Sequence, residues 1–172
     1  LGVVSGTALE RVVASRLQEG DRDGTLAMAR DAFPNQELAS RVFERWYRAD
    51  GLSSPGVYKT LTPFSESPPV HLVELTIFAA FAEVFLAKRG VAGPVGINLL
   101  EKIQPPTLPT LYGAMLAGVD YVLMGAGIPR EIPGHLDRLA RHEPCALRLM
   151  VDERPDELLP FAPSDHGCAA VP

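Results

Sequence analysis

One asparagine in this sequence has a side-chain type that its surroundings do not explain. Asn98 interrupts the apolar run Val95-Gly96-Ile97-Asn98-Leu99-Leu100, where a purely structural strand would carry Val or Ile. If this run is a strand of a parallel α/β sheet, its carboxyl end faces the ligand side of the fold. A carboxamide there can donate to and accept from one edge of a planar cofactor. The alternative is an Asn that hydrogen-bonds the backbone of the next turn; we favour the ligand role.

Two glycine-containing segments follow other strand-like runs. Gly125-Ala126-Gly127 comes after Tyr121-Val122-Leu123-Met124, but a dinucleotide-binding motif would need a third glycine where Arg130 stands, and Pro129 and Pro133 prevent a helix from starting directly after the turn. Two interpretations of this segment stay open. The glycines form a tight strand end at which the backbone closely approaches a flat or phosphorylated ligand, or they serve only the turn. Ser5, Gly6 and Thr7 occupy the matching position after the first strand, although Thr7 also fits an N-cap.

The histidines and cysteines do not form a recognisable site in the sequence. His71, His135 and His142 are interpreted as core-edge or solvated positions, and Cys145, before an apolar strand, as a small buried residue. His166 and Cys168 lie close together, but zinc needs about four ligands, so no metal site is predicted. No Ser/His/Asp arrangement or nucleophile elbow is present, and Arg11, Arg16, Arg41, Arg45 and Arg48 are interpreted as solvated helix faces.

The elements that position these residues are predicted from the spacing of the strand-like runs. The last three of the four runs begin at 95, 121 and 146, which is 26 and then 25 residues apart, as consecutive βα units of a parallel sheet require. Helices are expected over 8–17, with a capping box of Thr7 and Glu10, over 108–116 and over 134–142. The pattern predicts an α/β fold with about four parallel strands.

An insertion of about residues 20–90 follows the first strand, because Gly6 and Asn98 are 92 residues apart. We expect helices over 25–33 and 37–49, a loop over 51–69 and a long apolar helix over 70–88. That helix is long enough to cross a membrane, but Glu74 and Glu83 lie on opposite sides of it, so a buried helix packed on both sides is predicted instead. The insertion is expected to cap the ligand side or to form a partner surface.

Composition and charge bound the remaining possibilities. The chain has 172 residues, a net charge of −5 and two cysteines; a nucleic-acid partner is excluded on charge, and the few thiols favour a reducing cytoplasmic setting. A start without Met, directly in a strand-like run, indicates a fragment. Residues 1–151 are expected to form the domain and residues 152–172 an irregular tail.

Three stretches of the chain closely resemble the nitronate monooxygenase (2-nitropropane dioxygenase-like) family. They are LGVVSGTAL at 1–9, GINLLEKIQ at 96–104 and GVDYVLMGAGIPREIP at 118–133. The resemblance implies a partial (β/α)8 TIM barrel that binds FMN at its C-terminal mouth. It also implies a flavin-dependent monooxygenase that oxidises a small-molecule substrate, an alkyl nitronate, with dioxygen to a carbonyl compound and nitrite.

The resemblance carries over to only a few residues. It implies that Asn98 contacts the flavin and that the strand-end groups line the mouth, namely Ser5, Gly6, Thr7, Gly125, Ala126 and Gly127. The catalytic base of the family would follow residue 151 and has no match here, so the isolated chain is expected to be inactive and to bind FMN weakly or not at all. A related flavin-dependent enoyl reductase of polyketide or fatty-acid synthesis and a non-catalytic α/β interaction module are the alternatives.

Overall fold

The computed structural model describes residues 2–54, 56–90, 92–149 and 157–168. Within these ranges the chain is a mixed α/β protein with one parallel and one antiparallel sheet. Its elements are β1 (Gly2–Ser5), α1 (Leu9–Gln18), α2 (Thr25–Ala32), α3 (Gln36–Trp46), α4 (Val70–Lys88), β2 (Val95–Leu100), α5 (Thr107–Leu116), β3 (Tyr121–Gly125), α6 (Ile132–Ala140), β4 (Cys145–Leu149), β5 (Glu157–Phe161) and a 3₁₀ turn, Pro163–His166.

The parallel sheet contains three of the four predicted strands. Its order is β1-β2-β3, with Gly2 opposite Val95 and Gly96 opposite Tyr121. The Asp120 carboxylate supports the amino-terminal edge, since Oδ2 accepts from the Val95 amide at 2.7 Å and from Lys88 Nζ at 2.9 Å. These bonds, the Val95 amide first, lower the pKa of Asp120. The predicted parallel arrangement is confirmed for these three strands.

The expectation that the fourth strand joins this sheet is wrong for the described chain. β4 pairs antiparallel with β5, from Cys145 opposite Phe161 to Leu149 opposite Glu157. The predicted irregular tail therefore contains a strand over 157–161 and the 3₁₀ turn. The pattern failed here because Leu158 and Leu159 stand between prolines and acids, which hid an edge strand whose partner is itself apolar. No closed barrel is formed by the described residues.

Helix α4 is the centre of the molecule. It contacts β1 and β2 on one side and α1, α2 and α3 on the other, with α5 alongside, and Leu75, Ile77, Phe78 and Ala79 are fully buried. The prediction of a helix packed on both sides is confirmed. By length and composition it is also the one helix of the described residues that could span a membrane, and its position explains that apolar surface, since each side meets another element.

Arginines of α1 and α3 pair with the two carboxylates of α4. Arg41 of α3 bonds the buried Glu74, with Nη2 at 2.6 Å from Oε1, and Arg16 of α1 lies 3.9 Å from Glu83. The interpretation of Arg41 and Arg16 as purely solvated residues is therefore wrong.

Candidate functional site

The carboxyl ends of the three parallel strands bring most of the predicted site residues together. The register places Ser5 beside Asn98 and Asn98 beside Leu123, so these three side chains form one row across a single face of the sheet. We call them the ligand row. Gly125, two residues beyond Leu123, lies on the same face, and a β-carbon built on it would be 3.8 Å from Asn98 Oδ1.

This face of the sheet is open to solvent. Side chains alternate along each strand, so Ile97, Leu99, Val4 and Met124 pack towards the helices, while the opposite face keeps Ser5 and Asn98 exposed. Three apolar side chains share the open face, with exposed fractions of 48%, 43% and 38% for Val3, Leu123 and Leu100. Parallel sheets are ordinarily buried on both faces, which makes an uncovered one a candidate binding surface.

Tyr121 closes the amino-terminal part of the open face. Its ring lies across Gly96, where a β-carbon would come within 2.2 Å of the ring, and its hydroxyl donates to the Gly2 carbonyl at 2.7 Å. The Tyr121 ring therefore covers the sheet on the amino-terminal side of the ligand row. The part of the face that stays accessible is the carboxyl-terminal part, which contains Ser5, Asn98 and Gly125.

Backbone hydrogen bonds fix the strand ends. The Gly6 amide donates to the Asn98 carbonyl at 2.7 Å and the Glu101 amide donates to the Gly125 carbonyl at 2.9 Å. A β-carbon at Gly6 would meet Leu99 Cγ at 2.9 Å and the Asn98 carbonyl at 3.0 Å, so only glycine lets the chain turn this close to β2. Ala126 takes a left-handed backbone conformation, with φ of 63°, which turns the chain sharply after β3.

The side chain of Asn98 is free to bind. It is exposed, and its carboxamide has no hydrogen-bond partner among the described residues, whereas other polar side chains nearby have one: the Ser5 hydroxyl, for example, accepts from the Thr7 amide at 3.3 Å. The alternative in which Asn98 serves the next turn is therefore not what the described chain shows. An unpaired amide in a row of neutral groups can meet both a donor and an acceptor.

Thr7 and Gly127 lie close to the ligand row but have different surroundings. The capping box of Thr7 and Glu10 is wrong: Ala8 is the N-cap of α1, in a left-handed conformation and without a side-chain cap bond. The Ser5 hydroxyl holds the Thr7 amide instead, so the chain leaves β1 through a side-chain turn rather than a capped helix start. Gly127 lies against the Glu101 side chain, 2.6 Å from a built β-carbon.

A cleft of about 250 Å³ adjoins this rim. Met124 of β3 and Leu147 of β4 lie on its walls with Ile132 of α6, and Glu101, Arg130 and Arg148 add charge of both signs. Neither Asn98 nor the strand-end glycines line it. The cleft therefore separates β3 from β4 beside the predicted site.

Glu10 is a residue that the sequence reasoning assigned to the wrong role. It lies in the first turn of α1, five residues beyond the end of the row at Ser5, and is buried to 7% exposure. Burial raises the pKa of Glu10, opposed by its own backbone hydrogen bond and by Arg11. The sequence contains one signal for the burial of Glu10: Glu10, Ala14 and Gln18 are spaced four residues apart and therefore share one helix face. In the structure all three are buried.

The histidines and cysteines of the described chain are structural in their surroundings. His135, at 9% exposure, lies at the edge of the core, and Cys145 is buried, both as predicted. His166 is buried as well, which corrects its interpretation as part of a loose tail. Burial lowers the pKa of both histidines and raises the pKa of both thiols. Three or more metal-ligating side chains do not come together anywhere in the ranges that the structure describes.

Comparisons with protein-family models, with curated proteins and with solved structures found no match.

Proposed function

We propose that this chain is part of an FMN-dependent oxidoreductase of the nitronate monooxygenase type. The observation that carries the proposal is the unpaired and exposed Asn98 carboxamide near the carboxyl end of β2. On either side of it, at the ends of β1 and β3, Gly6 and Gly125 lie close to β2. Flavin rings are flat and present hydrogen-bonding atoms along one edge, so they need backbone that allows close approach and a polar group aimed at that edge.

The proposed architecture is a section of a (β/α)8 barrel wall. Three parallel strands carry helices on one face and leave the other open, as adjacent staves of such a barrel do, with their carboxyl ends at the ligand side. The open face then corresponds to the barrel interior, which further strands cover in the complete fold. Tyr121 across Gly96 supplies the kind of bulky layer that fills a barrel beneath its ligand site.

The chain's own residues would bind and orient the cofactor. Asn98 would hold one edge of the ring, Ser5 would offer its hydroxyl beside it, and Gly6 with Gly125-Ala126-Gly127 would leave room for the ring plane. The flavin, when bound, supplies the electron transfer between nitronate and dioxygen. No described residue is assigned as the catalytic base, and none is assigned to the FMN phosphate.

The proposal is tested on the product of the complete reading frame. We expect it to copurify with a yellow chromophore that absorbs and fluoresces as FMN, and to release nitrite from an alkyl nitronate in air. A flavoprotein that instead reduces an enoyl thioester would be the enoyl reductase. A colourless protein that takes up no FMN when titrated would contradict both enzymes and favour the interaction module.

The role of Asn98 has its own test. Asn98→Ala should weaken FMN binding about tenfold, because one hydrogen bond to a bound group is worth roughly 1–1.5 kcal/mol. Leu158→Ala, at an exposed position of β5, is the matched control and should leave the dissociation constant unchanged. Fluorescence titration measures both, and equal affinities for all three proteins would remove Asn98 from the site.

A further inference from the structure

Four basic side chains meet on the surface formed by α3, the loop that follows it and the start of α4. They are Arg45 of α3, Arg48 just beyond that helix, Lys59 of the loop and His71 of α4. The first three are exposed and His71 is half-buried. We call these four residues the basic cluster. None of them belongs to a strand of the parallel sheet, so the cluster and the ligand row are built from different elements.

A buried indole ring holds two of these cations in place. Trp46 is only 3% exposed, and Lys59 Nζ and the Arg45 guanidinium carbon lie 5.0 and 5.9 Å from the centroid of its ring. Lys59 Nζ also donates to the Arg45 carbonyl at 3.3 Å. Desolvation, and then the charges of Arg45 and Arg48, lower the pKa of Lys59. These contacts keep several positive charges close to one point of the surface.

The loop that carries Lys59 is anchored to the core at this residue. The Lys59 amide donates to Gln18 Oε1 at 2.5 Å. Gln18 is buried, and its Nε2 donates to the Ala14 carbonyl of α1 at 3.1 Å. The backbone therefore sets the place of Lys59 beside α3, and the cluster does not depend on the side chains alone.

Arg45 also contacts His71, although both residues are basic. Arg45 Nη2 lies 3.3 Å from His71 Nε2, and because a guanidinium can only donate, Nε2 accepts and carries no proton in this contact. Partial burial, and then the charges of Arg45 and Lys59, lower the pKa of His71, while Glu74 acts in the opposite direction. A negative charge placed beside this ring would favour its protonated form.

The basic cluster has no negative counterpart among the residues that the structure describes. The ion pairs found there do not include any of its four members. Glu74, the acid that acts on His71, is already bonded to Arg41, with Oε1 at 2.6 Å from Nη2. In a chain with a net charge of −5, such a local excess of positive charge repels itself and attracts an anion.

We propose that the basic cluster binds a phosphoryl dianion, either free inorganic phosphate or the phosphate group of a small phosphorylated molecule. A phosphate group concentrates its negative charge and three acceptor oxygens around one atom. The cluster offers the matching set, because Arg45 and Lys59 place donors near one point, Arg48 adds charge and His71 can add a proton. An extended polyanion would need basic residues along a whole face, which this acidic chain does not supply. The phosphoryl site is independent of the proposed function.

Binding is tested on the product of the complete reading frame. The protein is titrated with inorganic phosphate and with glycerol 2-phosphate at constant ionic strength, and saturable binding is expected. Tighter binding of inorganic phosphate identifies the free ion as the ligand, and equal or tighter binding of the ester identifies a phosphorylated molecule. Absence of saturation by both probes would overturn the proposal, as would a polyglutamate peptide that binds the cluster while both probes fail to displace it.

Charge-removing variants locate the binding. Arg45→Gln and Lys59→Gln should each weaken phosphate binding about fivefold, since each removes one charge–charge contact at the surface. Arg11→Gln is the matched control, because Arg11 is an exposed arginine of α1 outside the cluster, and it should leave the dissociation constant unchanged. Equal affinities in Arg45→Gln, Lys59→Gln and Arg11→Gln would place any bound phosphate elsewhere and overturn the assignment.

The ring of His71 gives a readout that needs no folded cluster variant. Its proton signal, assigned as the one missing from the spectrum of His71→Gln, should shift when phosphate is added. In saturating sulfate, whose charge is constant over this range, the ring should titrate at a higher pH, because a dianion offsets the charges of Arg45 and Lys59. A His71 signal that neither shifts with phosphate nor titrates differently in sulfate would contradict the site.

Discussion

At the scale of single residues, His166 shows how the 3₁₀ turn is held against β5 and the start of α3. Its ring stacks on Phe161 with centroids 5.2 Å apart, and its carbonyl accepts from Asn35 Nδ2 at 2.7 Å. The ring atom Nδ1 is buried and has no partner in the described ranges. Burial lowers the pKa of His166, with a smaller contribution from Arg41, against the opposing charges of Glu74 and Asp165. The folded chain therefore favours the neutral ring more strongly than the unfolded chain does.

Acid should weaken the fold through this residue. Above the unfolded pKa of 6.5 the ring is neutral in both states, and below it the unfolded chain takes up a proton that the folded chain refuses, so stability falls as the pH drops towards the folded pKa. His166→Phe, which keeps a ring against Phe161, should flatten this fall below pH 6.5. Urea midpoints measured across that window check it, and parallel curves for the two proteins would contradict it.

At the scale of elements, the contact between α4 and α5 is set by one glycine. A β-carbon on Gly113 would lie 2.1 Å from the Ile77 carbonyl oxygen, so the two helices approach at backbone distance. Gly134 of α6 is the opposite case, because a β-carbon there meets nothing within 4 Å. Two helical glycines in one chain thus have different reasons to be glycine.

Alanine at these two positions should have effects of opposite sign. Gly113→Ala forces the helices apart and should cost about 3 kcal/mol of unfolding free energy. Gly134→Ala fills open space in a helix and should gain about 0.5–1 kcal/mol. Chemical denaturation measures both, and a similar loss in the two variants would show that the close packing of α4 on α5 is not the cause.

Most elements could be predicted because their signals are local. Each of these signals is contained in the segment that it predicts: the apolar runs of β2 and β3, the glycine at 118 after α5 and the long apolar stretch of α4. The helices of the insertion are predicted from their amphipathic spacing. The partner of β4 could not be predicted, because a strand pattern gives its faces but not which edge it joins. The turn after Ser5 was missed for a similar reason: Thr7 and Glu10 have the spacing of a capping box, while the left-handed Ala8 depends on how closely Gly6 approaches β2.

At the scale of the whole molecule, the open sheet face determines how the chain meets its surroundings. Asn98, Ser5 and Gly125 could be placed at one rim from the sequence, because parallel strands align their carboxyl ends. That the same face is bare could not, since exposure depends on what covers a strand and not on the strand itself. None of the strand residues on the open face is charged. The face therefore offers an apolar surface without charges that would repel a second apolar surface.

Leu123→Lys tests this surface. The unmodified chain should bind the dye ANS and self-associate with rising concentration, and a charge in the middle of the face should reduce both. Val57→Lys is the control, since Val57 is 59% exposed in a loop away from the sheet. Dye fluorescence and light scattering provide the measurement. If both lysine variants behaved alike, general charge rather than this face would be responsible.

The long interval between β1 and β2 has a consequence for synthesis on the ribosome. Gly2 is opposite Val95, so β1 waits for a partner that is translated 93 residues later, which at ordinary elongation rates takes about 5–20 s. During that time α1, α2 and α3 can coil locally, yet the helix they surround has not been translated. β1 and these three helices therefore lack their packing partners until α4 and β2 have been translated.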